Sequence, residues 1–437
     1  MFEIREKPEM VERAMLVSIY FDPSEAGEKQ AMLDELEDLV SNLGIGIAGK
    51  HLVKSRDMHA KFLCGTGKAQ EVKQLALDCR ADCVVFDNML SPSQQREWER
   101  LVDECVIDRE EVILDIFARR ARTREATLQV ELARMQYSLP RMARMWNHLD
   151  RQGGGSGGGK GGGGAARGEG EKQIEVDRRL ARARIEAIQS ELVLVTRQRA
   201  TQRKERERQA VATAAIVGYT NAGKSSLLSL VSGSEVMARD MLFATLDTTT
   251  RKIELPHGQP LLLTDTVGFI RNLPHRLVEA FKSTLEEAVL ADFLIQVVDA
   301  SDPEAVRHYE TTLEVLNELG AGDKPMIVVL NKVDLVPEER RGALETLLAP
   351  HFSGRVVPMS VKEGNGEGDL LNACVEMLES RVRRARFLIP YTRSDLVAAM
   401  HSEGKVFSTE YVEEGTLLEA VLPVAFYNKL ESFLADR

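Results

Sequence analysis

The apolar-rich run Val211 to Val217 leads straight into Gly218-Tyr219-Thr220-Asn221-Ala222-Gly223-Lys224-Ser225, and from there into Ser226-Leu227-Leu228-Ser229-Leu230. A buried strand, a glycine-bracketed loop and a helix, in that order, commit this part of the chain to an α/β layer built on a mostly parallel sheet. The same string specifies a ligand. Glycines let the backbone wrap closely around phosphates, successive N–H groups and the helix N-terminus aim positive charge at them, and Lys224 reaches the β- and γ-phosphates. The Ser225 hydroxyl supplies a hard oxygen for Mg²⁺. A nucleoside triphosphate is expected here, with Gly218 to Ser226 as its cradle.

Three further segments lie downstream in the order such a domain needs. Asp265-Thr266-Val267-Gly268 closes the strand Leu261 to Thr264, so the carboxylate is expected near Mg²⁺, through a water, and the Gly268 N–H near the γ-phosphate. Asn331-Lys332-Val333-Asp334 follows the strand Met326 to Leu330. A carboxylate at Asp334 accepts both N1–H and the exocyclic amine of guanine, whereas adenine presents an unprotonated N1. A site built to pair those groups discriminates by about 10⁴ to 10⁵. Asn331 is expected to brace the loop and the Lys332 stem to cover the ring. Ser360-Val361-Lys362 stands where GTPases usually carry Ser-Ala-Lys; valine adds bulk but keeps the amide that meets guanine O6. GTP and GDP are thus the expected ligands.

Between the phosphate loop and Asp265 runs Phe243-Ala244-Thr245-Leu246-Asp247, followed by Thr248-Thr249-Thr250. With little apolar periodicity it reads as the mobile switch loop, in which one threonine ligates Mg²⁺ and senses the γ-phosphate. Spacing alone does not choose between Thr245 and Thr248 to Thr250. Lys224 and Gly268 belong to the expected catalytic set, and Ser225 and Asp265 to the metal set, each completed by one of these threonines. After Gly268, where Ras-like proteins place a water-orienting glutamine, stands Phe269, so intrinsic hydrolysis is expected to be slow.

Length and charge bound the rest. At 437 residues, with 43% hydrophobic and 29% charged, the chain is an ordinary globular one of two to four domains. No stretch approaches the roughly 18 to 20 apolar residues that span a bilayer. The charged start Met1-Phe2-Glu3-Ile4-Arg5 is not that of a secretory signal, and five cysteines without metal-site spacing fit a reducing cytoplasm. Net charge is −11, yet residues 117–210 carry 21 Lys and Arg against 11 Asp and Glu. A basic arm facing a polyanion fits that asymmetry, and solvated helix faces would produce it too.

The arm has a readable shape. Leu128, Leu132, Met135, Leu139, Met142, Trp146 and Leu149 recur at intervals of four and three, and Ile174, Ala181, Ile185, Ile188, Leu192 and Val195 form a rougher second stripe. Two antiparallel helices would bury both stripes, with a kink at Pro140. Between them, 12 of the 18 residues from Gly153 to Gly170 are glycine. Such a loop adds nothing to a core, and with Lys160 and Arg167 but no bulky side chain it suits a tight polyanionic crevice.

The fold expected is α/β throughout: an N-terminal α/β subdomain over 1–112, a basic helical arm over 113–209, a P-loop GTPase domain with a mixed, mostly parallel sheet over 210–384, and a small C-terminal α/β domain over 385–437. Ser91 reads as an N-cap with Pro92 in the first turn. Gly65-Thr66-Gly67-Lys68 lacks the full phosphate loop and reads as a turn. The C-terminal part reads as helix, strand, strand, helix.

With these features on the page, the chain resembles the HflX family of translational GTPases over nearly its whole length. The likeness is carried by Ser91-Pro-Ser-Gln-Gln-Arg96, Val106-Ile-Asp-Arg109, Leu114 to Glu125, Leu128-Gln-Val-Glu-Leu-Ala133, Leu139-Pro-Arg141, the glycine-rich loop, Phe243 to Asp247 and Asp265 to Ile270. The resemblance selects Thr245 among the threonines, and related GTPases coordinate K⁺ at the position of Asn221. It implies a cytosolic protein, expected as a monomer, that binds the large ribosomal subunit and its rRNA, reaches toward the peptidyl-transferase centre and splits stalled ribosomes when GTP-bound. Alternatives are a ribosome-assembly GTPase, or an RNA-remodelling module with an ATP-using N-terminal half. Gly168-Glu-Gly-Glu-Lys-Gln-Ile-Glu175 departs from the family's usual Gly-Pro-Gly-Glu-Thr-Gln-Leu-Glu, which changes how the second arm helix starts.

Overall fold

The computed structural model describes residues 11–141, 175–195, 211–233, 242–243, 245–256, 258–272, 282–348, 355–378 and 382–435. The glycine-rich loop, the Met142, Trp146 and Leu149 end of the first stripe, Ile174 and Ala244 lie outside these residues. The chain forms two compact units, the first ending at Val195 but including 241–243 and 271–281, the second holding the remainder.

In the first unit, β1 (Arg13–Tyr20), β2 (Gly46–Lys54), β3 (Cys83–Phe86) and β4 (Cys105–Asp108) make an all-parallel sheet in the order β2-β1-β3-β4. The connections are α1 (Ala26–Asn42), α2 (Thr66–Asp78) and α3 (Pro92–Val102), and α4 (Arg109–Arg120) follows β4 directly. Residues Ala14 to Ile19 of β1 are wholly buried, which is why that strand reads as a continuous apolar run. Trp98 packs between Phe62 and Phe86 with ring centroids 5.1 and 4.8 Å away.

Ser91 caps α3 reciprocally with Gln94, and Pro92 opens the helix. Gly65, by contrast, is itself the N-cap of α2, so Thr66, Gly67 and Lys68 form a helical first turn rather than the expected turn between elements. The buried Arg109 guanidinium joins Glu35, Asp87 at 2.9 Å and the Arg271 carbonyl at 3.4 Å. Phe243 sets its ring edge-on to Phe117, centroids 4.7 Å apart, and Asn42 donates to the Leu242 carbonyl at 2.8 Å.

The arm starts with α5 (Arg124–Ser138), capped by Thr123. Residues 175–195 are helical and lie antiparallel to it: Arg124 pairs with Glu191, Arg184 with Glu131, and Leu128 and Leu132 pack on Ile188. The α-helix ends at Ser138 and passes into a 3₁₀ turn, Leu139–Arg141, so α-helical geometry is interrupted at Pro140; the stretch beyond Arg141 that would define the expected kink lies outside the described residues. The proline's missing N–H and its ring clash with the preceding turn account for the interruption.

The second unit carries β5 (Ala212–Gly218), β6 (Thr249–Glu254), β7 (Pro260–Asp265), β8 (Phe293–Asp299), β9 (Met326–Asn331) and β10 (Val356–Pro358) in the order β10-β9-β8-β5-β7-β6. Only β6 runs antiparallel, giving the mixed, mostly parallel sheet that the sequence implies. Beyond it, β11 (Val382–Ile389), β12 (Lys405–Val412) and β13 (Gly415–Pro423) form an antiparallel sheet ordered β11-β13-β12, with Ser394–Glu403 and Val424–Lys429 helical. Strand β11 is an addition to the expected helix-strand-strand-helix order. Its three arginines, with Arg384 paired to Glu419, hide the strand behind a basic appearance.

Candidate functional site

Strand β5 delivers the chain into the phosphate loop, and the helix Lys224–Ser232 leaves it. Two glycines here are dictated by close approach. A Cβ on Gly223, at φ +100°, would lie 2.3 Å from Asn331 Nδ2, and one on Gly268 would lie 2.8 Å from the Thr220 Cα and 2.9 Å from Lys224 Nζ. Lys224 is buried and donates to the Tyr219 carbonyl at 2.7 Å. Burial lowers its ammonium pKa to about 8, with the Asp265 carboxylate pulling the other way.

Four oxygens gather at the carboxyl end of the sheet. Ser225 Oγ lies 2.6 Å from Thr245 Oγ1 and donates to Asp265 Oδ2 at 2.6 Å. Asp265 is 1% exposed, burial pushes its pKa up, and its Oδ1 is buried without a hydrogen-bond partner. Three hard donors with an orphaned carboxylate oxygen fit a small divalent cation such as Mg²⁺.

Thr245 therefore stands with Ser225 and Asp265. Thr249 and Thr250 belong to β6, opposite Asp265 and Thr264, and Thr250 shares a 2.9 Å hydroxyl contact with Thr264. Both thus belong to the sheet, whereas Thr245 is the threonine whose hydroxyl meets Ser225. In the expected switch loop, which was to lie against the nucleotide, the Phe243 side chain is instead 1% exposed against Phe117, and Leu246 is 2% exposed. Thr266 spends its hydroxyl on the Ile216 carbonyl at 2.7 Å and Val267 is buried, so their side chains are structural. Asp247 is half-buried and Ser226 likewise, while Asn221 is exposed at φ +60°.

Phe269 is 1% exposed, and its backbone clasps the phosphate loop: its N–H donates to the Gly218 carbonyl at 3.1 Å and its carbonyl accepts from Thr220 N–H at 2.8 Å. A ring turned into the core reaches no attacking water. Across this clasp the Tyr219 ring stacks on His308, centroids 3.7 Å apart and planes within 8°.

At the end expected to read the base, Asn331 ties three segments together. Its Nδ2 donates to the Ala222 carbonyl at 2.8 Å and its Oδ1 accepts from Val361 N–H at 3.1 Å. The expected bracing by Asn331 thus has a geometry. Val333 is half-buried and Asp334 exposed in the 3₁₀ turn Val333–Leu335. Ser360 is buried and exchanges backbone hydrogen bonds with Asn365, leaving Lys362 exposed. Asp299, which the sequence reading passed over, pairs with Lys332 at 2.6 Å. His308 was also passed over. A carboxylate closing an apolar strand, the signal that singled out Asp265, was available for Asp299 as well.

Three family models match in sequence order: GTP-binding GTPase N-terminal over residues 30–118, GTP-binding GTPase Middle Region over 120–206, and 50S ribosome-binding GTPase over 213–332. Among relatives, a GTPase HflX of Akkermansia muciniphila is 99% identical over 437 residues, covering all of both chains. Those of Chlamydia pneumoniae and Escherichia coli are each 39% identical, covering 99% and 96% of this chain and 90% and 95% of theirs.

Proposed function

The chain belongs to the HflX family of GTPases, and we propose that it works as a translation factor whose GTP-bound form docks on the large ribosomal subunit, touches its rRNA through the basic arm and parts stalled ribosomes into subunits. Hydrolysis then releases it. The observation that carries this reading is the arm itself. Helix 175–195 buries only Ala181 and Ile188 and leaves Arg179 and Arg182 exposed, too thin a core to be an end in itself and well suited to phosphate contacts. The matched model described as a 50S ribosome-binding GTPase supports the same partner.

In this reading the four regions 1–112, 113–209, 210–384 and 385–437 act as subdomain, arm, switch and cap, in a cytoplasmic monomer. Ser225 and Thr245 would hold Mg²⁺, with Asp265 acting through a water. The chemistry that Mg²⁺ would supply there is neutralisation of charge on the β- and γ-phosphates. Lys224 supplies a fixed cation to the same oxygens, the Gly268 N–H reports the γ-phosphate, and Asn331, itself braced by the Val361 amide, frames guanine with Asp334. Asn221 is the candidate for K⁺; equal GTPase rates in K⁺ and Na⁺ buffers would remove it.

By linkage, the splitting work cannot exceed the difference in ribosome affinity between the GTP and GDP states plus what the arm gains on docking. Ribosomes run on a sucrose gradient after incubation with the protein and a slowly hydrolysed GTP analogue should separate into subunits, and with GDP they should not. Binding confined to immature particles would point instead to an assembly factor, and identical profiles with both nucleotides would overturn the switch.

A further inference from the structure

We infer that Asp299 is a positioning residue for the base-reading loop: it fixes the Lys332 ammonium and thereby slows the escape of guanine nucleotides. The register of the sheet creates the juxtaposition. Asp299 ends β8 directly opposite Asn331 at the end of parallel β9, and the next N–H, that of Ala300, donates to the Asn331 carbonyl at 2.9 Å. The carboxylate is therefore carried to the start of the Asn331-Lys332-Val333-Asp334 loop by main-chain pairing, not by a flexible connection.

Both carboxylate oxygens are committed. Oδ1 accepts from the Ser301 N–H at 2.9 Å and from the Ser301 hydroxyl at 2.5 Å, and Oδ2 accepts from Lys332 Nζ at 2.6 Å. An aspartate oriented this way by its own following turn loses little rotamer freedom when it takes a cation. The pair is also shielded, with side-chain exposures of 17% for Asp299 and 28% for Lys332, so solvent screens it less than a surface pair.

Lys332 needs such a hold. Its backbone sits at φ +61° and ψ +33°, a left-handed conformation that side-chain-bearing residues adopt only where their surroundings over-determine it. Its stem is the candidate cover for one face of the base, and a long lysine free to rotate would have to be ordered each time nucleotide bound. With the ammonium fixed in advance, that ordering is already done. The consequence lies in affinity and residence time, not in the chemical step, because Asp299 holds Lys332 of the base-reading loop, whereas the γ-phosphate is assigned to Lys224 and Gly268.

The inference rests on Asn331 to Asp334 being the base-reading loop, and its test separates the two. In the full-length protein, Asp334→Asn should exchange guanine for xanthine nucleotides; failure there sinks the loop assignment itself. Given that exchange, Asp299→Asn should speed dissociation of a fluorescent GDP three- to tenfold and raise the KM for GTP by a similar factor, with kcat at saturation within twofold and an unchanged melting temperature. Asp299→Glu should recover part of the loss. In a Lys332→Met background, which keeps an unbranched stem without charge, Asp299→Asn should add nothing.

A wild-type dissociation rate in Asp299→Asn overturns the inference, and so does an undiminished effect in the Lys332→Met background. Should Asp299→Asn not fold, Ser301→Ala carries the test: by removing one of the two donors that orient the carboxylate, it should produce a smaller effect of the same sign, and no change would count against the inference.

Discussion

Each of the two larger sheets ends a strand in a buried aspartate whose pKa burial raises, yet the chain's own hydrogen bonds satisfy the two to different extents. In the four-stranded sheet, Asp108 accepts from the Leu90 and Glu111 amides and the Tyr137 hydroxyl, each at 3.1 Å, and lies 3.5 Å from Arg141; Asp87 is held by Arg109 and Ser18. In the six-stranded sheet, Asp265 keeps one oxygen without a hydrogen bond, beside a lysine whose proton is loosely held. The chain thus saturates Asp108 and leaves one oxygen of Asp265 free of hydrogen bonds, as the proposed metal position requires. Burial is equal in both, so burial alone does not tell them apart.

The largest effect that would test this contrast is at Lys224. Lys224→Ala should weaken GTP binding by roughly a hundredfold or more, the scale of a lost charged hydrogen bond at its upper end, while leaving the first unit's unfolding untouched. Equilibrium binding with a fluorescent analogue measures it, and tight binding by the variant would refute the phosphate-loop reading.

The aspartates themselves come next. Asp265→Asn should slow GTP turnover by one to two orders of magnitude and make it insensitive to Mg²⁺, with little change in urea midpoint. Asp108→Ala should do the reverse, destabilising by about 3–5 kcal/mol because three donors and a guanidinium lose their acceptor, with nucleotide affinity unchanged. If both variants lost nucleotide affinity alike, the distinction between saturated and unsaturated carboxylates would fail.

A pH titration sharpens the same point. Lys224 in the free protein holds its proton only up to about pH 8, below the ordinary lysine value, because it is buried. Phosphate binding needs the charged form, so GTP affinity should be full below about pH 8 and fall above it, by at most about tenfold per pH unit. Stability of the nucleotide-free chain responds with the opposite sign. Between about 8 and the unfolded value the unfolded state binds more protons, so this group favours the fold increasingly as pH rises. Calorimetric binding and melting across pH 7 to 10 would read both; parallel trends would contradict the assignment.

The smallest expected effect separates the threonines. Thr250→Ala should cost roughly 0.2–1 kcal/mol of stability through the lost cross-strand contact with Thr264 and leave turnover alone, whereas Thr245→Ala should lower turnover at unchanged GDP affinity. A turnover defect in Thr250→Ala would return it to the metal site.

What the sequence made legible follows from where side chains and backbone agree. The phosphate loop, Asp265 and Asn331 stand at ends of apolar strands, and β-strand burial announces them. Asp299 closes the run Phe293 to Val298 in the same manner, but its partner Lys332 is met only through the β8–β9 register, which one strand does not disclose. Thr249 and Thr250 looked like loop because their partner strand lies downstream; β-branched residues paired across to β7 favour the extended form. Strand β11 was hidden by Arg383, Arg384 and Arg386, and Phe243 by a phenylalanine partner 126 residues earlier in the chain.

The inward-facing ring at Phe269 has one more implication. Since a phenyl ring there cannot aim a water, the proposed reading makes the loaded protein alone a slow timer, and in that reading whatever it encounters, instead of elapsed time, ends its working cycle.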